Sequence, residues 1–253
     1  MIRGIYTAAT GMMAGQFVQD SLAGNLANLN TVGYKQDTPT FKSLQDMAIK
    51  RLEGRTKTPI GSIGLGVAFD HNNTSMTAGA VTRTNNPLDL ALVGSGFFAV
   101  QTPQGEQYTR NGQFHIQPAG KGTDGKPTGY LSDDAGNKVM GQNGPINVGD
   151  YKQISISNLG DVQVDGKTVD RLKLVTGTDG TFEKTGGNLF TAKGATTAST
   201  AMIESGALEQ SNVNGISGMV RMITVQRAYE AAQRAITSQD ESLGKIVNEV
   251  GRI

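Results

Sequence analysis

The residues that could perform acid–base or nucleophilic chemistry are few and scattered. The 253-residue chain has two histidines, His71 and His115, and no cysteine. A catalytic triad needs a histidine beside a nucleophile and an orienting carboxylate, and neither histidine has an acidic residue at ligand spacing on a recognisable helix. The absence of cysteine excludes disulfides, thiolate zinc sites and thiol catalysis. We therefore expect solvated histidines and no metal.

Three other segments resemble chemical motifs but lack essential parts. Gly94-Ser95-Gly96 is half of a nucleophile elbow without its fifth-position glycine. The adjacent acids Asp133 and Asp134 lie in a segment typical of a solvated turn. The glycines at 61, 64 and 66 are not followed by Lys-Ser or Lys-Thr, which a phosphate-binding loop requires. The sequence therefore predicts no enzyme and no cofactor.

Composition excludes further classes of protein. The charge is 23 − 22 = +1, which gives no electrostatic footprint for nucleic acid, so we expect no nucleic-acid partner. The chain has no apolar run of about 18 residues, and its first residues do not resemble a cleaved signal peptide. With 34 glycines and 18% charged residues, several small packed regions are favoured over one dense core.

The C-terminal segment has the strongest periodic pattern. Apolar residues recur at alternating spacings of three and four from residue 222 to the end, interrupted by a single polar residue, Gln239. This spacing is typical of a coiled-coil seam, with one amphipathic helix packed on its own domain as the alternative. Gln239 either fixes the register of the seam or lies where the helix turns to solvent. The predicted interface residues here are Met222, Val225, Tyr229, Ile236, Leu243, Ile246 and Val250.

A matching stripe lies at the N-terminus. Its interface residues are Ile5, Ala9, Met12, Leu22, Leu26 and Leu29, and Gly33 ends the pattern as a C-cap glycine would. Apolar stripes at both ends of the chain predict that the terminal helices meet each other, or meet copies of themselves.

The middle of the chain predicts β-structure. Short apolar or alternating runs are separated by turn dipeptides such as Asn111-Gly112, Asn143-Gly144 and Asp165-Gly166, which favour tight type I′ hairpins. We expect an α+β fold in which N- and C-terminal coiled-coil helices pack together beside a central all-β domain. The expected boundaries are 1–34 for the N-terminal helix, 35–85 for an extended connector, 86–205 for the β domain, and 206–253 for a second connector and helix.

Four segments, taken in order, resemble the rod and hook proteins of the bacterial flagellar basal body. They are residues 24–35, 86–100, 108–114 and 206–230, and together they span most of the chain. The residues that carry the resemblance are Asn25, Asn28, Thr31, Gly33, Tyr34, Pro87, Asp89, Gly96, Phe97, Tyr108, Arg110, Gln226, Arg227 and Tyr229. The pattern departs from the family at Gly24, where a second asparagine is common, and residues 50–73 match no family pattern.

The resemblance implies a structural subunit of the rod. Such subunits are exported through the flagellar type III apparatus without a cleaved signal. They assemble into a tube in the periplasm, with terminal helices lining the tube. The implied partners are further copies of the chain, other rod and hook proteins, the surrounding ring proteins and the export apparatus. Residues 1–9 and 170–175 look most like the proximal-rod type, with the distal-rod type next and the hook protein third.

Two other classes of function remain as alternatives. A trimeric fibre or adhesin would use the C-terminal seam as a three-stranded stalk, although such a stalk leaves the N-terminal helix without a role. A cell-wall hydrolase on a β-sandwich scaffold would need a convergent acid–base pair, which the sequence does not suggest.

Overall fold

The computed structural model describes residues 2–53, 56–121, 127–149, 153–178 and 180–250. The chain forms two compact units. The first unit contains Met1–Ala27, Asp37–Ser75 and Asn214–Ile253, and the second contains Asn28–Gln36 and Met76–Val213. The chain therefore passes between the units at four points, 27/28, 36/37, 75/76 and 213/214.

The described residues form two helices and a large number of short strands, which confirms the predicted α+β class. The helices are α1 (Ile2–Ala27) and α2 (Gly215–Val250), and neither is long and apolar enough, over its described residues, to cross a membrane. The first unit adds β1 (Asp37–Ser43), β2 (Met47–Glu53), β3 (Thr56–Ile63) and β4 (Val67–Thr74). The strands of the second unit are β5 (Val81–Arg83), β6 (Leu90–Val93), β7 (Phe97–Thr102), β8 (Gly105–Thr109), β9 (His115–Lys121), β10 (Pro127–Ser132), β11 (Lys138–Val139), β12 (Ile154–Ile156), β13 (Asp161–Val164), β14 (Lys167–Arg171), β15 (Leu174–Thr176), β16 (Phe182–Gly186), β17 (Leu189–Ala192), β18 (Thr197–Ala198), β19 (Met202–Ser205) and β20 (Ala207–Glu209).

In the first unit, α1 and α2 pack against each other in antiparallel orientation. Gly4 lies against Gln239, Gly15 lies against Val225 and Tyr229, and the Gln19 side chain donates a hydrogen bond to Gln226. The half-buried positions of α2 are 215, 218, 222, 225, 229, 232, 236, 239 and 243, and every other position whose burial is described between 216 and 248 is exposed. The face of α2 that contacts α1 therefore has the alternating spacing of the predicted stripe.

Helix α1 ends at Ala27, before Gly33, where the apolar stripe predicts its end. The residues that follow form local bonds that compete with the helix. The Thr31 amide donates to the Asn28 carbonyl (3.2 Å), and the Thr31 hydroxyl donates to the Asn28 side-chain oxygen (3.1 Å). Leu29 consequently lies outside the helix, and Gly33 adopts a φ of +67° in a loop of the second unit.

Residues 35–85, expected as an extended connector, contain paired strands. In the first unit, β1 pairs with β4 and β2 pairs with β3, both antiparallel and both with a register shift. Phe17 of α1 stacks on Phe69 of β4 at 4.7 Å between ring centroids, and Phe41 of β1 meets the same ring edge-on at 6.4 Å. This aromatic group fixes the β1–β4 pair to α1.

The second unit is built around a nine-stranded sheet whose main path is β16-β17-β8-β7-β11-β10-β9. Its central strand, β7, is apolar at four consecutive positions because both faces are covered. Phe98 and Val100 point into the larger hydrophobic cluster, and Phe97 and Ala99 point into a second cluster with Tyr108 and Phe190. Smaller sheets, β12-β13-β14, β19-β6 and β20-β5, complete the unit.

The turn dipeptides divide into two kinds. Asp165 and Gly166 both have positive φ (50° and 78°) and join β13 to β14, which confirms the predicted hairpin there. The prediction is wrong for Asn111-Gly112, because neither residue has a positive φ. Gly112 is needed for a close approach, since its carbonyl accepts a hydrogen bond from the Leu90 amide at 2.9 Å and a side chain would collide with that backbone.

Candidate functional site

Three of the four motif segments meet at one buried carboxylate in the second unit, Glu209 of β20, and the segment 86–100 is joined to it through Arg110. Its Oε1 accepts hydrogen bonds from Lys35 Nζ at 2.7 Å and from the Gly79 amide at 2.9 Å. Its Oε2 accepts from Arg110 Nε at 2.6 Å. The three charged side chains are at most 5% exposed. We call Lys35, Arg110 and Glu209 the ion cluster.

Arg110 connects the ion cluster to the loop that precedes β7. Its guanidinium donates to the carbonyls of Leu92 (3.1 Å), Gly94 (2.7 Å) and Gly96. Guanidinium presents five donors in a fixed plane, and four of them are used here. Arg110 therefore holds the 92–96 loop, which belongs to the second motif, against β20, which belongs to the fourth.

Gly33, a residue of the N-terminal motif, contacts both β20 and the backbone at Arg110. Its amide donates to the Glu209 carbonyl at 2.7 Å. A side chain at this position would place its Cβ 2.5 Å from the Arg110 carbonyl carbon and from the Asn111 nitrogen. Glycine is therefore required twice, for its φ of +67° and for the contact between two backbones.

The segment from Val32 to Gln36 is also held in place by contacts with Lys184 and Asn212. Lys184 of β16 lies 3.7 Å from the Tyr34 ring centroid, a cation–π contact, and donates to the Lys35 carbonyl at 3.1 Å. Asn212 accepts from the Gln36 amide at 2.7 Å and donates to Thr77 at 3.1 Å. These bonds tie together, within the second unit, residues next to three of the four points where the chain passes between the units, those at 36/37, 75/76 and 213/214.

The ion cluster places two basic side chains, Lys35 and Arg110, against the single carboxylate of Glu209. Burial acts to raise the pKa of Glu209, but the Arg110 charge and the hydrogen bonds from Lys35, Gly79 and Arg110 outweigh it and hold that pKa below its ordinary value. Burial lowers the pKa of Lys35, although its bond to Glu209 opposes the shift. The excess cation is balanced by carbonyl oxygens, including that of Thr77, 2.7 Å from Lys35 Nζ.

This arrangement is suited to holding chain segments together. Both oxygens of the Glu209 carboxylate accept hydrogen bonds from groups of the chain itself, and the three charged side chains of the ion cluster are buried. Over the described ranges, no group of three or more histidine and acidic side chains could hold a metal ion.

The remaining motif residues take structural positions. Asp89 is buried, accepts from the Asn86 side chain at 3.0 Å, and its carbonyl accepts from the Gly206 amide at 2.8 Å. Phe97 and Tyr108 lie in the second hydrophobic cluster, while Pro87 is exposed. In the first unit, Asn25 of α1 is buried and its side chain bonds both the amide (2.9 Å) and the carbonyl (2.7 Å) of Asp37.

The predicted interface residues lie mostly on the contacting faces of α1 and α2. Leu22 is buried, and Ile246 is 43% exposed. Arg227 and Gln226 are exposed, and the side chain of Val250 lies outside the described part of the chain. The half-buried members are Ile5, Ala9, Met12, Leu26, Leu29, Met222, Val225, Tyr229, Ile236 and Leu243.

Sequence reasoning did not identify Lys35 and Glu209 as functional residues. The sequence carried one indication for Glu209, because it directly follows two apolar residues, Ala207 and Leu208. All three residues are buried in β20. A buried acid requires a cationic partner, but the partners lie 174 and 99 residues away in the sequence, and nothing local points to them.

Comparison with known protein families gives three matches along the chain. Residues 5–35 match the family described as flagella basal body rod protein, and residues 91–164 match the flagellar hook protein FlgE/F/G D1 domain. Residues 204–249 match the flagellar basal body rod FlgEFG protein C-terminal family. The three matched regions contain Lys35, Arg110 and Glu209, one in each.

Comparison with curated proteins gives relatives of nearly equal length. The chain is 32% identical to flagellar basal-body rod protein FlgG of Bacillus subtilis, covering 98% of this chain and 99% of that protein. It is 31% identical to flagellar basal-body rod protein FlgF of Escherichia coli, over 97% of each. It is 30% identical to flagellar hook-basal body complex protein FlhO of Bacillus subtilis, over 100% of each.

Proposed function

The chain belongs to the family of flagellar basal-body rod proteins, and from this premise we propose that it is a structural subunit of the rod that assembles through its terminal helices. We further propose that α1 and α2 form a two-stranded coiled coil within each subunit. The spacing of the half-buried positions on α2 supports this, because a seam repeating every 3.5 residues is the signature of coiled-coil packing.

The observation that carries the assembly proposal is that α2 has two apolar faces, of which α1 contacts one. The other face, here called the outer face, consists of Ile216, Met219, Val220 and Ile223, at the i, i+3, i+4 and i+7 spacing of one helix side. Ile216 is 80% exposed and Ile223 is 55% exposed. Exposed apolar patches of this kind mark protein–protein contacts.

A second copy of the subunit, or another rod protein, is the proposed partner of the outer face. An open helical polymer needs two different surfaces on each subunit that bind each other in head-to-tail fashion. Helix α1 offers such a counterpart in Tyr6 and Met13, which are 66% and 59% exposed and lie seven residues apart on one side of α1. We propose that the outer face of α2 packs on this side of α1 in the neighbouring subunit.

The position within the rod and the route to it are also proposals. Residues 1–9 and 170–175 favour the proximal part of the rod, and family membership favours delivery by the flagellar type III apparatus, with location in the part of the rod that crosses the periplasm. Cross-linking in purified basal bodies, followed by mass spectrometry, would identify the neighbouring subunits. Neighbours drawn only from the distal rod or hook would overturn the proximal assignment.

Ile223→Asp tests the outer face, with Gln233→Asp as the matched control because Gln233 is also exposed on α2. The charge at 223 should leave the melting temperature of the purified chain nearly unchanged, because the side chain is exposed in the subunit. In the bacterium that carries the gene, it should abolish motility and remove rods from purified basal bodies. Motile Ile223→Asp cells with normal rods would overturn the proposed role of the outer face.

A further inference from the structure

The most exposed large apolar side chains of the second unit lie in one place. Leu159 is 69% exposed, Met202 is 62% exposed and Val93 is 53% exposed, and no other large apolar side chain described in that unit exceeds 44%. We call these three residues the sheet patch. We propose that the sheet patch is a subunit contact, covered in the rod by the second unit of a neighbouring copy of the chain.

The three residues of the sheet patch are neighbours across β19. Met202 of β19 and Val93 of β6 are paired directly across the two strands. The Ile203 amide donates to the Asn158 carbonyl at 3.0 Å, so Leu159 lies along the other edge of β19. The strand β19 therefore has one patch residue of its own and another beside each of its edges.

The sheet patch faces solvent because its neighbours in the chain face the core. Leu92, Gly160 and Ile203 each adjoin one patch residue in sequence, and all three are buried. Leu92 and Ile203 belong to the larger hydrophobic cluster, and successive residues of a strand point to opposite faces. The subunit therefore cannot bury the sheet patch by turning these strands over, because the core residues beside it would then be exposed.

The backbone at Val93 is fixed within the free subunit. Arg110 of the ion cluster donates to the carbonyls of Leu92 (3.1 Å) and Gly94 (2.7 Å), the residues on either side of Val93. Arg110 is itself held by Glu209 at 2.6 Å. A surface that is already ordered loses less conformational entropy on binding than a flexible one. The ion cluster therefore prepares the sheet patch for contact with a partner.

Two ion pairs flank the sheet patch. Glu204 of β19 pairs with Arg83 at 3.5 Å, and Asp161 of β13 pairs with Arg171 at 2.7 Å. Glu204 and Asp161 each lie two residues along the chain from a patch residue. Each pair is neutral, so this surface presents no net charge that would attract a nucleic acid or another strongly charged partner. An apolar centre with a polar rim is the usual composition of a protein–protein contact.

The size of the sheet patch indicates a partner that other contacts already hold nearby. Three side chains bury far less than the roughly 800 Å² per partner of a stable interface, so the patch cannot hold two molecules together by itself. Once a first contact tethers two molecules, the high effective concentration allows a weak second contact to form. The terminal helices supply that tether and bring a second copy, with its own second unit, close by. In this respect the inference rests on the proposed function.

Photo-cross-linking from position 202 identifies what covers the sheet patch. The full-length chain with benzoylphenylalanine in place of Met202 is produced in the bacterium that carries the gene. Cross-linked peptides from its purified basal bodies are then identified by mass spectrometry. We expect most cross-links to reach the Met76–Val213 part of another copy. Cross-links to the terminal helices of another copy, cross-links to a different protein, or no cross-links would overturn the proposal.

The control for this experiment carries the same photoreactive group at Gln101. Gln101 is exposed near the opposite end of β7 from the loop that follows Val93. It should not give the cross-links obtained from position 202. The same cross-linked peptides from both positions would contradict a contact specific to the sheet patch.

Charge substitutions test whether the contact is needed for assembly. Met202→Lys and Leu159→Lys should each leave the melting temperature of the purified chain nearly unchanged, because both side chains are exposed. Each removes the burial of a large apolar side chain from the contact, so the number of complete rods in purified basal bodies should fall at least about tenfold. Gln101→Lys should leave that number unchanged.

Leu159 lies outside the strands, so a loss of rods in Leu159→Lys does not reflect a weakened β19. Normal rod numbers in both patch variants would overturn the proposed contact.

The outcomes also separate the sheet patch from the proposed function. Cross-links from position 202 to the second unit of another copy, together with motile Ile223→Asp cells, would support the sheet patch and overturn the outer face of α2. Loss of rods in Ile223→Asp, without such cross-links, would do the reverse.

Discussion

Replacing Glu209 with glutamine tests whether the ion cluster holds the second unit together. The substitution keeps the shape of the side chain but removes its charge, leaving Lys35 and Arg110 as two buried cations with no anion. It also replaces one acceptor oxygen with an NH₂ group. Because donors approach both oxygens of Glu209, at least one donor would then face another donor.

The expected loss follows from the burial of all three side chains. Removing one partner of a buried ion pair costs about 3–5 kcal/mol because the remaining charge is left without compensation. At about 2–4 °C per kcal/mol for a protein of this size, the melting temperature should fall by roughly 6–20 °C. Lys35→Met should cost less than Glu209→Gln, because it leaves Arg110 and Glu209 as a neutral pair.

Glu204→Gln is the matched control for this experiment. Glu204 lies five residues earlier, and its partner Arg83 is 81% exposed at a distance of 3.5 Å. Exposed pairs contribute about 0–1 kcal/mol, so this variant should melt close to the natural chain. The assay is calorimetry of each purified full-length variant. Glu209→Gln and Glu204→Gln melting within about 2 °C of each other would refute the view that the ion cluster stabilises the unit.

Three further predictions follow from the same contacts. Gly33→Ala should lower the free energy of unfolding, measured by denaturant titration, by at least about 3 kcal/mol. Gly166→Ala is the control, because Gly166 has a similar φ but open space around it, and it should cost about 1–2 kcal/mol. Similar costs for the two variants would contradict the backbone contact at Arg110. The pKa of Glu209 is lowered in the folded state, so its contribution to stability is present above about pH 4.5 and is lost as the pH falls through the folded-state pKa. In Glu209→Gln, the free energy of unfolding should therefore fall less steeply as the solution is acidified. An unchanged slope would argue against this assignment. Leu243→Asp should cost about 1–1.5 kcal/mol in lost burial, about half the value for a fully buried leucine, because Leu243 is half-buried. It should also prevent rod formation, with the exposed Ser238→Asp as control; normal rods in purified basal bodies would exclude Leu243 from the helix interface.

The sequence by itself determined the elements whose physics is local. The alternating spacing on α2 is a property of consecutive residues, and the half-buried positions of that helix repeat it from 222 to 243. The run Phe97–Val100 indicated a strand, which the structure extends to Thr102, and the Asp165-Gly166 pair indicated a hairpin, because side-chain periodicity and positive φ depend on near neighbours. The motif segments likewise identified the family, since they are strings of adjacent residues.

Tertiary structure alone decided which of these residues act together. The end of α1 at Ala27 depends on bonds that Asn28 and Thr31 make in competition with the helix. The apolar stripe gives no information about these polar bonds. The ion cluster joins positions 35, 110 and 209. No local pattern in the sequence indicates that charges so far apart along the chain are paired. Their attraction depends on distance in space and on removal from water, which exist only once the chain has folded around them.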